Sequence, residues 1–265
     1  MKKILITGAN SFIGTSVEQW LMKQPQKYQV NTVDTMNDAW KKADFTKYDV
    51  VFHVAGIAHV DPKPKMAPLY YKVNRDLTIE IAKHAKASGV KQFVFMSSQI
   101  VYHASKSLEG TIIGKNTKPN PNDFYGDSKL QAENGLNELA SDDFKVVNLR
   151  PCMIYGTNGK GNFQRLAHLA LKIPVFPLWH NKRSMLYIDN LCEFVKQVID
   201  QQLAGTFHLQ NREYADTVDI VRYYAKTNGH ILWCTRLFNP LVWLGSFVCK
   251  HPVQAVLHKT NKPKS

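Results

Sequence analysis

The chain has 265 residues, 44% of them hydrophobic and 21% charged, a globular composition on a length that can bury a core without staples. Disordered, collagen-like and disulfide-scaffold classes are thereby excluded, and at roughly 150 residues per domain the length suits one large domain or a domain with an elaboration. The 34 Lys+Arg against 21 Asp+Glu leave a formal charge of +13, which attracts nucleotides, nucleic acid or acidic membrane without choosing among them.

The opening Met1-Lys2-Lys3-Ile4-Leu5-Ile6-Thr7 has too short an apolar run before Gly8 for a secretory leader. Its segment Ile4–Thr7 reads as a first strand, followed by a helix at Ser16–Lys23 and short apolar runs at Val30–Asp34 and Val50–Val54. Val73, Leu77, Ile81 and Ala85 give helical spacing over Lys72–Ala87, ended by Gly89. A strand at Phe93–Ser97, a helix at Asp127–Leu139 and a strand at Lys145–Leu149 follow. From Tyr155 to Tyr187 glycines and prolines break the pattern, as in a binding loop or lid. A helix near Asn190–Gln202 and a strand at Thr206–Leu209 come next. Such alternation predicts an α/β, Rossmann-like, doubly wound parallel sheet. The expected division is a dinucleotide-binding domain over 1–155 and a small C-terminal substrate-binding lobe with its lid over 156–265, interleaved with the last strand near 206–209.

Cys152, Cys192, Cys234 and Cys249 form no CxxC pair and no zinc-spaced Cys/His cluster. No metal is expected, and isolated thiols suit a reducing, cytoplasmic setting.

Gly8, Ser11, Phe12, Ile13 and Gly14 make a loop from the first strand into the first helix. A dinucleotide fingerprint needs a glycine for the turn, a small residue where backbone meets pyrophosphate, and a glycine for helix–strand packing. Gly8 and Gly14 supply the first and last, and Ser11 stands at the middle place, where its Cβ holds the phosphate slightly farther off. The helix N-terminus offers free N–H groups to the phosphates. Asp34, at the end of the second strand, suits the adenosine ribose hydroxyls and repels a 2′-phosphate, which favours NAD over NADP. Tyr125 and Lys129 stand at i, i+4 on one helix face, where an ammonium beside the phenol is expected to lower its pKa into the range of a usable base. Ser98 ends a buried-type strand, on the rim where open α/β sheets bind ligands. Its hydroxyl can meet charge developing on a substrate oxygen.

These residues resemble the extended short-chain dehydrogenase/reductase family, in its NAD-dependent epimerase/dehydratase group. Thr7–Gly14 is similar to TGxxGxxG with one glycine replaced; Ser97-Ser98-Gln99-Ile100-Val101-Tyr102 is similar to SSxxVY, and Tyr125–Lys129 to YxxSK. His53-Val54-Ala55-Gly56, Leu149-Arg150-Pro151 and Ile154-Tyr155-Gly156 match further segments, so that the resemblance covers about Lys2 to Leu209. It implies Asp44 near the adenine, Ala55 and Gly56 beneath the cofactor, and Asn74 at its site. It makes Ser98, Tyr125 and Lys129 catalytic, with Lys129 holding the nicotinamide ribose and tuning Tyr125.

Dehydratases of the family carry an Asp-Glu pair where this chain has Gln99 and Ile100, which argues against a 4,6-dehydratase. The lid resembles that of nucleotide-sugar epimerases and 4-reductases of bacterial surface-polysaccharide pathways. That implies Arg183 on the substrate diphosphate and Asn162 on the diphosphate or uracil side, while Asp189 is expected to cap the following helix. The reading favoured is a C4 epimerase of a UDP-hexose or UDP-N-acetylhexosamine. The alternatives are a NAD(P)H-dependent 4-reductase of a UDP-4-keto-6-deoxy sugar, or a non-catalytic dinucleotide-binding protein. A homodimer is implied by the family alone. The lysines are spread along the chain with no nucleic-acid module. A nucleotide sugar or, for the apolar, basic stretch after His230, peripheral contact with an anionic membrane fits the charge better.

Overall fold

The computed structural model describes all residues except 37, 59–63, 103–110, 115, 157–158, 160–161, 241–255 and 258–265. The chain divides into two compact units that alternate along it. The first is Met1–Tyr102, Pro119–Pro151 and Tyr187–Leu209; the second is His103–Lys118, Cys152–Leu186 and Gln210–Ser265. The second unit thus consists of three excursions, each leaving the chain beyond the end of a strand of the first.

Six strands form the sheet of the first unit: β1 (Lys2–Thr7), β2 (Tyr28–Val33), β3 (Val50–His53), β4 (Gln92–Met96), β5 (Lys145–Pro151) and β6 (Gly205–Leu209). Their order is β6-β5-β4-β3-β1-β2, and every pairing is parallel. Val50-Val51-Phe52-His53 and Gln92–Met96 are buried throughout, as expected of central strands covered on both faces. The edge strand β2 instead exposes Gln29, Asn31 and Thr32, whose polar side chains discourage further pairing. The register places Thr7 opposite His53 and His53 opposite Phe95, so the carboxyl ends of β1, β3 and β4 finish on one rim. The order reverses at β1, and open sheets of this kind bind ligands at such a switch point.

Helices α1 (Phe12–Leu21), α2 (Leu77–Ala87), α3 (Phe124–Leu139) and α4 (Ile188–Asp200) cover the sheet. Ile81, Ala82 and Ala85 of α2 and Ala132 and Leu136 of α3 join Leu5, Val51, Phe93, Phe95 and Val146 in one buried cluster. Trp20 of α1 donates to Glu193 of α4 at 3.1 Å. All six expected strands and all four expected helices are present, with shifted ends. Ahead of α2 the chain is α-helical at Ala67–Tyr70 and π-helical at Tyr71–Asp76.

In the second unit the stretch read as an irregular lid holds a helix, Asn162–Lys172, and a second unforeseen helix spans Thr217–Thr227. The flanking glycines and prolines hid the first, although Phe163, Leu166, Ala167 and Ala170 have helical spacing. Phe163 and Tyr224 meet edge to face, with centroids 5.6 Å apart. Trp233–Thr235 pairs in parallel with Val175–Pro177, and Ala215–Asp216 pairs antiparallel with Lys182–Arg183. Among the described residues no helix is long and apolar enough to cross a membrane.

Candidate active site

The glycine loop grows from β1. Gly8 has φ +109, a conformation that L side chains rarely adopt, and a Cβ there would stand 2.7 Å from the Ala55 nitrogen. A Cβ on Gly14 would crowd Val54 and Ile6, so the start of α1 lies directly against the sheet. Ser11 is the N-cap of α1, and its hydroxyl accepts the Gly14 N–H at 3.1 Å. The residue that replaces the middle glycine therefore uses one of the helix's free donors itself. Phe12 and Ile13, ahead of it, keep N–H groups that the helix cannot satisfy internally.

Asp34 lies just beyond β2, exposed, and accepts the Met36 N–H at 2.9 Å. Asp44 caps the short turn Phe45–Lys47 through Thr46 and pairs with Lys47 at 3.2 Å. Asn74, fully buried in the π-helical stretch, is bound to protein on every side. Its Oδ1 accepts the Ile57 N–H at 2.8 Å, and its Nδ2 donates to the Ile57 carbonyl and the Ser128 hydroxyl, each at 3.2 Å. It therefore fastens the strand-end segment Ala55–Ile57 to α3. A Cβ on Gly56 would come within 3.1 Å of the Lys129 Nζ and 3.0 Å of the Asn74 Oδ1, so the floor at Gly56 is as tight as its sequence requires.

Ser98 and Tyr125 are brought together by a hydrogen bond between their hydroxyls. Ser98 also accepts the Ile100 N–H at 3.2 Å, and Asp123 caps α3 through the Gly126 N–H at 2.7 Å. The lowered Tyr125 pKa expected from the sequence is not what the structure shows. Burial raises the phenol's pKa, and the Ser98 bond lowers it only in part. The reason is where Lys129 points: its ammonium donates to the Met96 carbonyl at 3.0 Å and lies 4.6 Å from the Phe95 ring centroid. Burial lowers the lysine's own pKa to about 8, against the pull of Glu133.

Beneath this set is a network that sequence reasoning missed. Glu133, one turn beyond Lys129, accepts hydrogen bonds from the Ser97 hydroxyl and from Arg150. Arg150 also donates to the Tyr102 hydroxyl at 2.6 Å, which lies 2.8 Å from the His208 Nε2. Arg150 and Tyr102 belong to quoted motifs, so the signal was present without its partner. His53 forms a second buried chain, with Nδ1 2.6 Å from the Thr7 hydroxyl and Nε2 3.0 Å from that of Thr78. Burial, assisted by Lys129, lowers the His53 pKa to about 3. Gln99 is buried next to Ser98, and among the described residues neither end of its amide has a partner.

In the second unit Arg183 is nine-tenths buried in a two-residue strand. Its Nε and Nη2 have no hydrogen-bond partner among the described residues. Burial lowers its pKa and Asp216 opposes this. Asp216 is itself engaged in capping Val218 at 2.9 Å and bonding His180 at 3.1 Å. Asn162 opens its helix, and its side chain lies outside the described residues. Asp189 is not the cap expected: the N-cap position is Tyr187, and Asp189 sits inside the first turn of α4. The helix begins earlier than its apolar pattern suggests, and the carboxylate complements the helix dipole instead. Among the described residues no group of three or more His, Cys, Asp or Glu could hold a metal ion.

The model of the family described as NAD dependent epimerase/dehydratase family matches residues 4–209. A UDP-glucose 4-epimerase of Vibrio cholerae is 34% identical over 91% of this chain and 82% of its own length. An N-acetyl-alpha-D-glucosaminyl-diphospho-ditrans,octacis-undecaprenol 4-epimerase of Escherichia coli O157:H7 is 27% identical over 82% of this chain and 68% of its own. Among solved structures, a UDP-glucuronic acid 4-epimerase from Bacillus cereus in complex with NAD superposes with a TM-score of 0.73 at 22% identity. That match covers 89% of this chain and 90% of the other.

Proposed function

The chain belongs to the NAD dependent epimerase/dehydratase family, and from that premise we propose that it inverts C4 of a hexose or N-acetylhexosamine carried on a diphosphate, as in a UDP-sugar. It is an enzyme of the epimerase type, and the family's cofactor is NAD. The first unit suits that group. The loop at Gly8 admits no Cβ, Phe12 and Ile13 carry N–H groups that their helix cannot satisfy internally, and Gly56 is packed closely on Lys129 and Asn74. In this reading Asp34 takes the ribose hydroxyls and Asp44 the adenine side.

The chemistry that bound NAD supplies is reversible hydride exchange with the sugar carbon. Tyr125 exchanges a proton with the 4-hydroxyl, and Ser98 donates to the same oxygen as charge grows on it. Lys129 holds the nicotinamide ribose and supplies the positive charge one helical turn from the phenol. Asn74 acts by fixing the backbone at Ile57. Arg183, buried and with two guanidinium nitrogens unpartnered among the described residues, takes the diphosphate, for which a fork of donors is suited. We assign Asn162 to the diphosphate or uracil side of the same substrate. Gln99, where dehydratases carry an acid, offers a neutral amide to a sugar hydroxyl and cannot expel one.

The observation that carries the reading is the half-buried Ser98–Tyr125 hydroxyl pair one helical turn from the buried Lys129. The first test is to denature the purified protein and quantify the nucleotide released, then to assay interconversion of UDP-glucose with UDP-galactose and of their N-acetylated forms. Near-stoichiometric NAD with interconversion is expected. A protein that is empty and turns over only a 4-keto sugar with NADH or NADPH is a 4-reductase, and the epimerase reading falls.

A further inference from the structure

The charge surplus is not shared between the two units. The first holds 18 Lys+Arg and 17 Asp+Glu, a net +1; the second holds 16 Lys+Arg and only 4 Asp+Glu, a net +12. Bases are spread along the chain, and the asymmetry arises because acids are missing from the second unit. No Asp or Glu occurs after Asp219, while Arg222, Lys226, Arg236, Lys250, Lys259, Lys262 and Lys264 do.

The same unit exposes its apolar side chains. Apart from Met1 and Met36, the most exposed large hydrophobic residues among those described are Leu237 at 77%, Ile231 at 75%, Trp233 at 71% and Tyr223 at 66%. All four fall within one stretch of chain, and the framework of that stretch is fixed. The Trp233 N–H donates to the Pro174 carbonyl at 2.9 Å, the Leu178 N–H to the Thr235 carbonyl at 2.8 Å, and the Asn239 Nδ2 to the Leu178 carbonyl at 3.0 Å. Thr235 caps the turn Arg236–Phe238. Trp233 and Leu237 are therefore displayed from a hydrogen-bonded platform with Arg236 between them.

We propose that the exposed stretch Ile231–Leu237, which displays Ile231, Trp233, Arg236 and Leu237 on a unit of net charge +12, docks onto an anionic lipid bilayer. The chemistry is that of interfacial binding: an indole and aliphatic side chains enter the headgroup boundary, and the cations meet acidic lipid. Charge complementarity selects this occupant. A second copy of the chain would bring the same +12 against itself, and a nucleic acid leaves the aliphatic side chains without a partner. The inference does not depend on the substrate, free or lipid-linked.

The test is sedimentation of the full-length, nuclease-treated protein with phosphatidylcholine vesicles, with and without phosphatidylglycerol. Wild type is compared with I231S/W233S/L237S, and both are checked by circular dichroism and analytical ultracentrifugation. Pelleting with the anionic vesicles at low salt, weakened by added salt and reduced at least tenfold in the folded triple variant, is the expected result. No pelleting of wild type at low salt overturns the proposal. Pelleting that the triple variant retains in full overturns it for this stretch, as does a triple variant that loses only self-association. Because the vesicles carry no sugar and the epimerase assay contains no vesicles, the two readings fail separately.

Discussion

Arg150 and Glu133 form a two-pronged ion pair within the first unit. The Arg150 Nε lies 3.0 and 3.1 Å from the two carboxylate oxygens, the Nη2 joins one of them, and both residues are buried. Removing one member of such a pair strands the other as an uncompensated charge, at a cost of about 3–5 kcal/mol. Glu133→Gln should lower stability by that order in urea unfolding. Adding Arg150→Met to it should restore part of the loss, because the stranded cation goes too. Equal and additive losses would show that the pair is not coupled as the distances indicate.

Tyr125→Phe keeps the ring and removes the hydroxyl that Ser98 bonds. Turnover should fall by roughly 10²–10⁴-fold, the usual contribution of a positioned acid–base group. NAD released on denaturation should be unchanged. A variant that still interconverts its sugars at the wild-type rate would remove Tyr125 from the chemistry.

Arg183→Met separates binding from stability. A buried guanidinium with unbonded nitrogens does little for the fold, and an apolar residue of similar volume is often neutral or stabilising in such a place. The melting temperature should hold or rise, while KM for a UDP-sugar should increase tenfold or more, equivalent to about 1.4 kcal/mol or more. A lower melting temperature with an unchanged KM would make Arg183 structural.

His53 gives a pH dependence with a definite sign. Its folded pKa, about 3, lies below the unfolded value of 6.5, so below that unfolded value the unfolded chain takes up a proton that the fold refuses. The His53 contribution should be level above neutrality and fall as the pH drops from about 6.5. The slope approaches about 1.4 kcal/mol per pH unit before the carboxylates titrate. His53→Gln, which keeps a neutral polar side chain between Thr7 and Thr78, should flatten the decline between about pH 6.5 and 5. Parallel melting curves for the two proteins across that window would show that His53 is protonated in the fold.

Much of the first unit could be read from the sequence because its signals are local. β1, β3 and β4 are short apolar runs, the Gly8–Gly14 loop joins a strand to a helix, and Tyr125 and Lys129 stand one turn apart. The unread features depend on partners distant in sequence. Nothing near Asn74 shows that its amide fastens Ile57 to Ser128, and nothing near Lys129 shows that a carbonyl at Met96 takes its ammonium away from the phenol. The π-helical turn at Tyr71–Asp76 leaves no periodic mark in so few residues, and the helix Asn162–Lys172 was obscured by the glycines and prolines around it. The uneven charge was invisible for the same reason, since the second unit collects three separated lengths of chain.

Those three lengths, 103–118, 152–186 and 210–265, all depart beyond strand ends of a sheet whose own register never includes them. Insertions and deletions are tolerated in such connections far better than in the elements they join. A lineage carrying this architecture can therefore lengthen, shorten or recombine its three excursions without disturbing Ser98, Tyr125 or Lys129. New molecular tastes can be acquired by editing outgrowths, while the old reactive machinery is inherited intact.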